Sequence, residues 1–214
     1  MKNLNIQILR NALFGGGARM ISLLVAIPMT AYLVSRLGME RFGLWAMVSV
    51  LAGTVGMLDL SLRTGFVKHL AEDMAHDARE SINEIVSFGF IFYLGFALLA
   101  ALLIGFGADP LLDFFHVGPD LRPEARWVLF LGMARVLSGH VLSVFASLCD
   151  ARQRMDITNS IGLASLAVST LLTIVFIEQG WGLIGLGAAQ LTGALLFYVA
   201  CIPVARHLAG PFRI

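Results

Sequence analysis

Six stretches of the chain, each about 20 residues long, are dominated by apolar residues and bounded by charge or turn residues. A hydrocarbon layer about 30 Å thick is crossed by a helix of about 20 residues rising about 1.5 Å each. The stretches therefore predict spans over 12 to 35, 43 to 62, 84 to 107, 125 to 149, 157 to 178 and 181 to 205. The expected fold is all-α, a polytopic membrane protein in which residues 1 to 214 form one six-helix unit. Composition agrees: 58% of residues are hydrophobic and 14% charged, with a mean hydropathy of +0.83, far from a soluble domain.

A formal net charge of +1 leaves no basic surface for nucleic acid, so none is expected as a partner. The first span follows Lys2 and Arg10 like a secretory signal, but it is too long and lacks a small-residue cleavage site, which predicts a retained span. Cys149 and Cys201 are expected as free thiols near cytoplasmic helix ends. The segment 63 to 83 is charged and Ala-rich and predicts a cytoplasmic helical extension. The segment 108 to 123 holds three prolines and predicts a short interfacial helix followed by a turn.

Cytoplasmic loops retain Lys and Arg. With both termini inside, nine of the fifteen basic residues fall on the cytoplasmic side, and only Arg36, Arg41, Arg122 and Arg126 on the other. Trp45, Trp127 and Trp181 fall near the outer interface, as an aromatic belt would.

Arg19 and Arg135 remain, both inside spans. Arg19 sits about 10 Å within the cytoplasmic edge, on a stripe of small or polar residues formed by Asn11, Gly15, Arg19, Ser22, Ala26 and Thr30. The second span has a matching stripe of Ser49, Ala52, Gly56, Asp59 and Arg63, in which Asp59 and Arg63 are spaced to pair. Arg135 lies nearer the middle of the fourth span, with Ser138 on its face and His140 somewhat deeper. Gln190 of the sixth span joins these as a residue that lines a cavity or packs helices. Small stripes serve close packing as readily as a cavity, and Arg19 could snorkel to the interface. A guanidinium near a helix centre costs about 2.5 to 3.5 kcal/mol on insertion scales and usually faces a bundle interior or watery cavity. A cationic interior points to an anionic ligand, because guanidinium groups hold phosphate oxygens in bidentate geometry.

Residues 32 to 72 carry a turn of Leu37, Gly38, Phe42, Gly43, Leu44 and Trp45, then Asp59, Leu60, Leu62, Gly65, Ala71 and Glu72, with Ser61 where a glycine is usual. This pattern resembles the N-terminal region of lipid-linked oligosaccharide flippases, the polysaccharide-transport branch of the multidrug/oligosaccharidyl-lipid/polysaccharide exporter superfamily. Residues 148 to 161, LCDARQRMDITNSI, resemble the family's loop between helices four and five. The resemblance implies one lobe of a MATE-like exporter fold in a bacterial cytoplasmic membrane, paired with a second lobe or in a homodimer. It implies a polyprenyl pyrophosphate-linked oligosaccharide as partner beside the membrane lipids, and no cofactor. Arg19, with Arg135, would meet the pyrophosphate in a central cationic cavity.

Two other readings stay open. A cation-coupled drug antiporter of the same superfamily would place acidic residues in the cavity. An intramembrane serine protease would need His140 and Ser165 as base and nucleophile, although the sequence around Ser165, GLASL, lacks the glycine context expected. No cluster of His, Cys, Asp and Glu has metal-ligand spacing, and Asp73 and Asp77 read as charge patterning, so no metal is expected.

Overall fold

The computed structural model describes residues 2–57, 65–70, 72–73, 76, 79–152 and 154–209, with side chains from residue 13 onward except those of 57, 79, 208 and 209. Backbone N–H and C=O groups find no water in hydrocarbon, so a spanning segment must satisfy them within itself, and the helix does so. Six long helices account for nearly all described residues: α1 (Lys2–Leu37), α2 (Met39–Met57), α3 (Arg79–Phe114), α4 (Arg122–Ala151), α5 (Met155–Glu178) and α6 (Gly182–Ala209). Five of them, all but α2, are long and apolar enough to cross a membrane. The description of α2 stops at Met57, short of the expected limit of 62.

Helix α4 is the pillar of the bundle. It packs against α6, α3 and α2 and, more lightly, α5, while α1 packs against α5 and α2, and α6 against α5. Burial follows: 56% of the apolar stretch of α4 is covered, against 11% to 22% in the other four candidate spans. Glycines let α4 and α6 approach their neighbours. A Cβ on Gly132 would stand 2.7 Å from Val48, and one on Gly193 2.5 Å from Cβ of Ser169. Small residues at such crossings raise dispersion contact where no hydrophobic force acts between helices.

Two apolar cores fill opposite ends. One gathers Leu33, Leu37, Leu44, Val48, Leu112, Val128, Leu129, Leu183 and Leu186. Leu37, Phe42, Leu44 and Trp45 of the α1–α2 turn belong to it or pack on it, and Gly38 makes that turn at φ +81°. The other gathers Leu70, Ile82, Val86, Phe145, Leu148, Cys149 and Ala205, so part of the expected cytoplasmic extension, helical over 65–70, folds onto this end.

Ion pairs join the helices at the first end. Arg36 of α1 meets Glu178 of α5 at 2.8 Å, and Arg41 of α2 meets Glu124 of α4 at 2.9 Å. Arg122 and Arg126 of α4 pair with Asp113 and Asp109 of α3. All four arginines expected on the outer side are thus paired with carboxylates. Tyr32 adds its hydroxyl, donating to Glu178 at 2.8 Å. Trp127 and Trp181 are exposed at this end and Trp45 half-buried, the disposition of an interfacial belt.

The expected interfacial helix over 108 to 123 is not separate. Helix α3 runs through Pro110 to Phe114, and only one 3-10 turn, Pro119–Leu121, precedes α4. Ion pairs from Asp109 and Asp113 tie this last stretch to α4, and Ala108 and Leu112 are buried in the core there. His116 then stops the helix at φ +53°, with Val117 N–H donating to Leu112 O at 3.0 Å, a Schellman-type end.

Glu124 does two jobs. One carboxylate oxygen takes Arg41, and the other accepts the N–H of Leu183 at 3.1 Å, in the first turn of α6. That N–H has no partner within its own helix, and an anion there also meets the positive end of the helix dipole. Hydrogen bonds to charged groups contribute about 1.5 to 3 kcal/mol. Because Arg41 is half exposed, Glu124→Ala is expected to lower unfolding free energy by about 1 to 3 kcal/mol in a denaturant titration in micelles, and Glu124→Gln by less.

Candidate functional site

The polar stripe of α1 faces α5. Gly15, Ala18, Arg19 and Ser22 border an open hollow of about 550 Å³ whose far wall is Asp150, Met155, Thr158, Asn159, Gly162, Leu163 and Phe197. A Cβ on Gly15 would lie 3.8 Å from the Asn159 amide nitrogen, so the glycine leaves the wall open beside a polar partner. Tyr32 is bound at the Glu178 end, and Arg19 lies 13 residues below it, about 20 Å along the helix.

Among the described residues Arg19 has no ion-pair partner. Arg19 is exposed to the hollow, and no carboxylate among the described residues lies within 4.0 Å of it. Asp150 borders the same hollow and accepts a hydrogen bond from Thr158 Oγ1 at 3.4 Å. The Ser22 hydroxyl donates to Ala18 O at 2.9 Å, so its proton serves its own helix and only its oxygen can receive a ligand's donor.

Arg135 is elsewhere. A second open hollow of about 490 Å³ lies between α2, α4 and α6, lined by Ser49, Ala52, Gly53, Gly56, Arg135, Val136, Gly139, His140, Ala194 and Tyr198. Arg135 stands 11 residues from Glu124, about 16 Å along the helix. Arg19 and Arg135, expected at one cavity, border different hollows in different helix seams. The cause is register, because α1 turns its stripe to α5 whereas α4 turns Arg135 to α2 and α6.

The remaining expected residues divide. Ser49 and His140 line the second hollow, together with Ala52 and Gly56 of the predicted α2 stripe. Thr30 is exposed and donates to Ala26 O at 2.8 Å. Ser138 donates to Arg135 O at 3.1 Å, and neither it nor Gln190, half-buried on α6, borders either hollow. The Asn11 side chain, Asp59 and Arg63 lie outside the described residues. Sequence reasoning missed Thr158 and Asn159, whose only signal was a polar start to an apolar helix, and Tyr198 on the α6 wall.

His140 and Ser165 form no hydrogen bond. Ser165 is buried where α5 meets Gly193 of α6, whereas the imidazole packs against Phe96 and Tyr93 of α3. Among the described residues no group of three or more His, Cys, Asp and Glu could hold a metal. Neither cysteine is in a disulfide, and both are fully buried.

Burial and openness differ enough here to be read by chemistry. In membrane vesicles a water-soluble maleimide is expected to label Ser22→Cys and to leave native Cys149 and Cys201 unlabelled until the protein is denatured; protection of Ser22→Cys would mean a lipid-filled seam. Compared with known proteins, the chain matches no family model, no curated protein and no solved structure.

Proposed function

We propose that this chain is a six-span lobe of a membrane exporter that moves a polyprenyl pyrophosphate-linked oligosaccharide across a bacterial cytoplasmic membrane by alternating access. Both termini face the cytoplasm in this reading, and a second lobe or a second copy completes the pathway. The observation that carries it is Arg19: a guanidinium without an ion-pair partner among the described residues, bordering an open hollow, while the four arginines at the opposite end are all paired. A permanent charge left unpaired within a span is stabilised by water in the resting state and by an anionic passenger in the loaded one. The pyrophosphate supplies the anion, Asn159 and Thr158 offer polar contacts to the first sugar, and the prenyl chain remains in lipid. No covalent step is involved. The resemblance of residues 32 to 72 to oligosaccharide flippases supports the same reading.

Asp150, in the same hollow, favours a second reading, a cation-coupled antiporter in which a carboxylate exchanges an ion for the passenger. Transport that depends on sodium or a proton gradient and survives Arg19→Ala would select it.

For the first reading, binding of a short-chain polyprenyl pyrophosphate to the purified full chain is expected to weaken about tenfold or more in Arg19→Ala, and to recover partly in Arg19→Lys. Equal affinity in all three proteins, measured by calorimetry in a phosphate-free detergent, removes Arg19 from the mechanism.

A further inference from the structure

At the end that carries the interhelical ion pairs, an open cleft of about 460 Å³ lies between the first half of α2 and the connection from α3 to α4. Helices α2 and α3 lean on α4 rather than on each other, which leaves this gap. One wall is a single face of α2, where Glu40, Gly43, Leu44, Met47, Val50 and Leu51 recur at helical spacing. Leu51 is 11 residues from Glu40, about 16 Å, close to the thickness of one leaflet of a hydrocarbon layer about 30 Å across. Phe115, Val117 and Leu121 complete the apolar lining. Val50 is 69% exposed and Phe115 40%, so the described residues leave the groove uncovered.

The polar side chains of the lining are Glu40, in the first turn of α2, and His116, in the connection, so the groove has one polar mouth and an apolar body. At this end Asp109, Asp113, Glu124 and Glu178 are each taken by an arginine. Glu40 has neither an ion pair nor a side-chain hydrogen bond among the described residues. A carboxylate in a first turn favours its own helix dipole, which still leaves its oxygens open to a cation. Asp120, in the 3-10 turn, also lacks an ion pair among the described residues, but it does not line the cleft. Both walls are held back by glycines: a Cβ on Gly43 or Gly118 would meet nothing beyond its own stretch of chain within 4 Å.

We infer that this cleft binds a phospholipid whose headgroup carries an ammonium, with the acyl chain along the α2 face and the ammonium on Glu40. A groove one leaflet long, apolar but for an uncompensated negative charge at its mouth, is the complement of an amphiphile with a positive tip. The carboxylate–ammonium contact is a charge-assisted hydrogen bond, and from the opposite wall the His116 imidazole has an N–H to offer the adjoining phosphate. Met47, unbranched and flexible, conforms to a chain that is itself mobile. A headgroup bearing only negative charge is repelled by Glu40. The site stands apart from Arg19 and holds whatever the passenger of the proposed function is.

The test uses the full chain in maltoside micelles. Phosphatidylethanolamine and phosphatidylglycerol with identical acyl chains are titrated separately, and the first bound lipid is quantified by native mass spectrometry. A diazirine in the acyl chain of phosphatidylethanolamine then reports position through the peptides it labels. The expected result is binding of the ethanolamine lipid about tenfold tighter than the glycerol lipid, with labelling on residues 43 to 51 and around Phe115. Glu40→Gln removes that preference and Glu40→Asp retains part of it. Gly43→Leu, which fills the groove, lowers the labelling about tenfold. Asp120→Asn makes the same charge change outside the cleft and leaves both readouts as they are. Equal affinity for the two lipids, a preference unmoved by Glu40→Gln, labelling unmoved by Gly43→Leu, or an equal loss in Asp120→Asn overturns the site. Displacement of the diazirine lipid from these peptides by geranylgeranyl pyrophosphate overturns it too, because the groove then takes the tail of an anionic lipid. Where Gly43→Leu fails to elute as a single folded species, the Glu40→Gln and Glu40→Asp pair decides.

Discussion

Hydrocarbon offers no partner to a polar group, and the arrangement of this protein follows from that refusal. Inside the layer the helices satisfy their own backbones, so what remains to be settled is the helix ends and the few polar side chains at depth. At one end the settlement is ionic: Arg36, Arg41, Arg122 and Arg126 each find a carboxylate on a neighbouring helix. Each exposed pair contributes little alone. Their joint effect is geometric, because they hold α1 to α5 and both α2 and α3 to α4. Glu124, ligated by Arg41 and by the first turn of α6, brings three helices to one carboxylate.

At depth the protein leaves charge unsettled. Among the described residues Arg19 and Arg135 have no carboxylate within 4.0 Å, unlike the end arginines, and both border hollows. A compensated guanidinium would repel nothing and attract nothing; an uncompensated one draws water and anions. His140 extends the pattern, since its ring packs on α3 while Nε2 goes unbonded. The fold is therefore tight at α4 and at both apolar ends, and polar and open along two seams.

Helix positions could be read from apolar run length, because about 20 residues is a physical requirement of the layer rather than a statistical preference. Where polar interactions extend a helix, run length fails. Helix α3 continues past Pro110 to Phe114, where Leu112 is buried against α4 and Asp109 and Asp113 meet Arg126 and Arg122, a long-range fact that local composition does not contain. The candidate residues show the same division. Periodicity correctly placed Gly15, Arg19 and Ser22 on one face, and Ser49, Ala52 and Gly56 on another, but it is silent on which helix each face meets. The two arginines were thus expected together and lie apart. Thr158, Asn159 and Tyr198 escaped notice because a residue that is ordinary on its own helix becomes part of a site only when another helix arrives.

Helix α3 also bears on how the protein is made. Its main packing partner is α4, and its outer face, including Phe88, Ile91, Leu98, Leu102 and Phe106, is exposed. A ribosome delivers α3 before α4 exists, so the newly made helix must reside among lipids without its eventual neighbour. Its hydropathy of 2.3, the highest of the five candidate spans, equips it for that interval. The two carboxylates near its end then wait for Arg122 and Arg126, and the arrival of α4 converts a free-standing helix into part of a bundle.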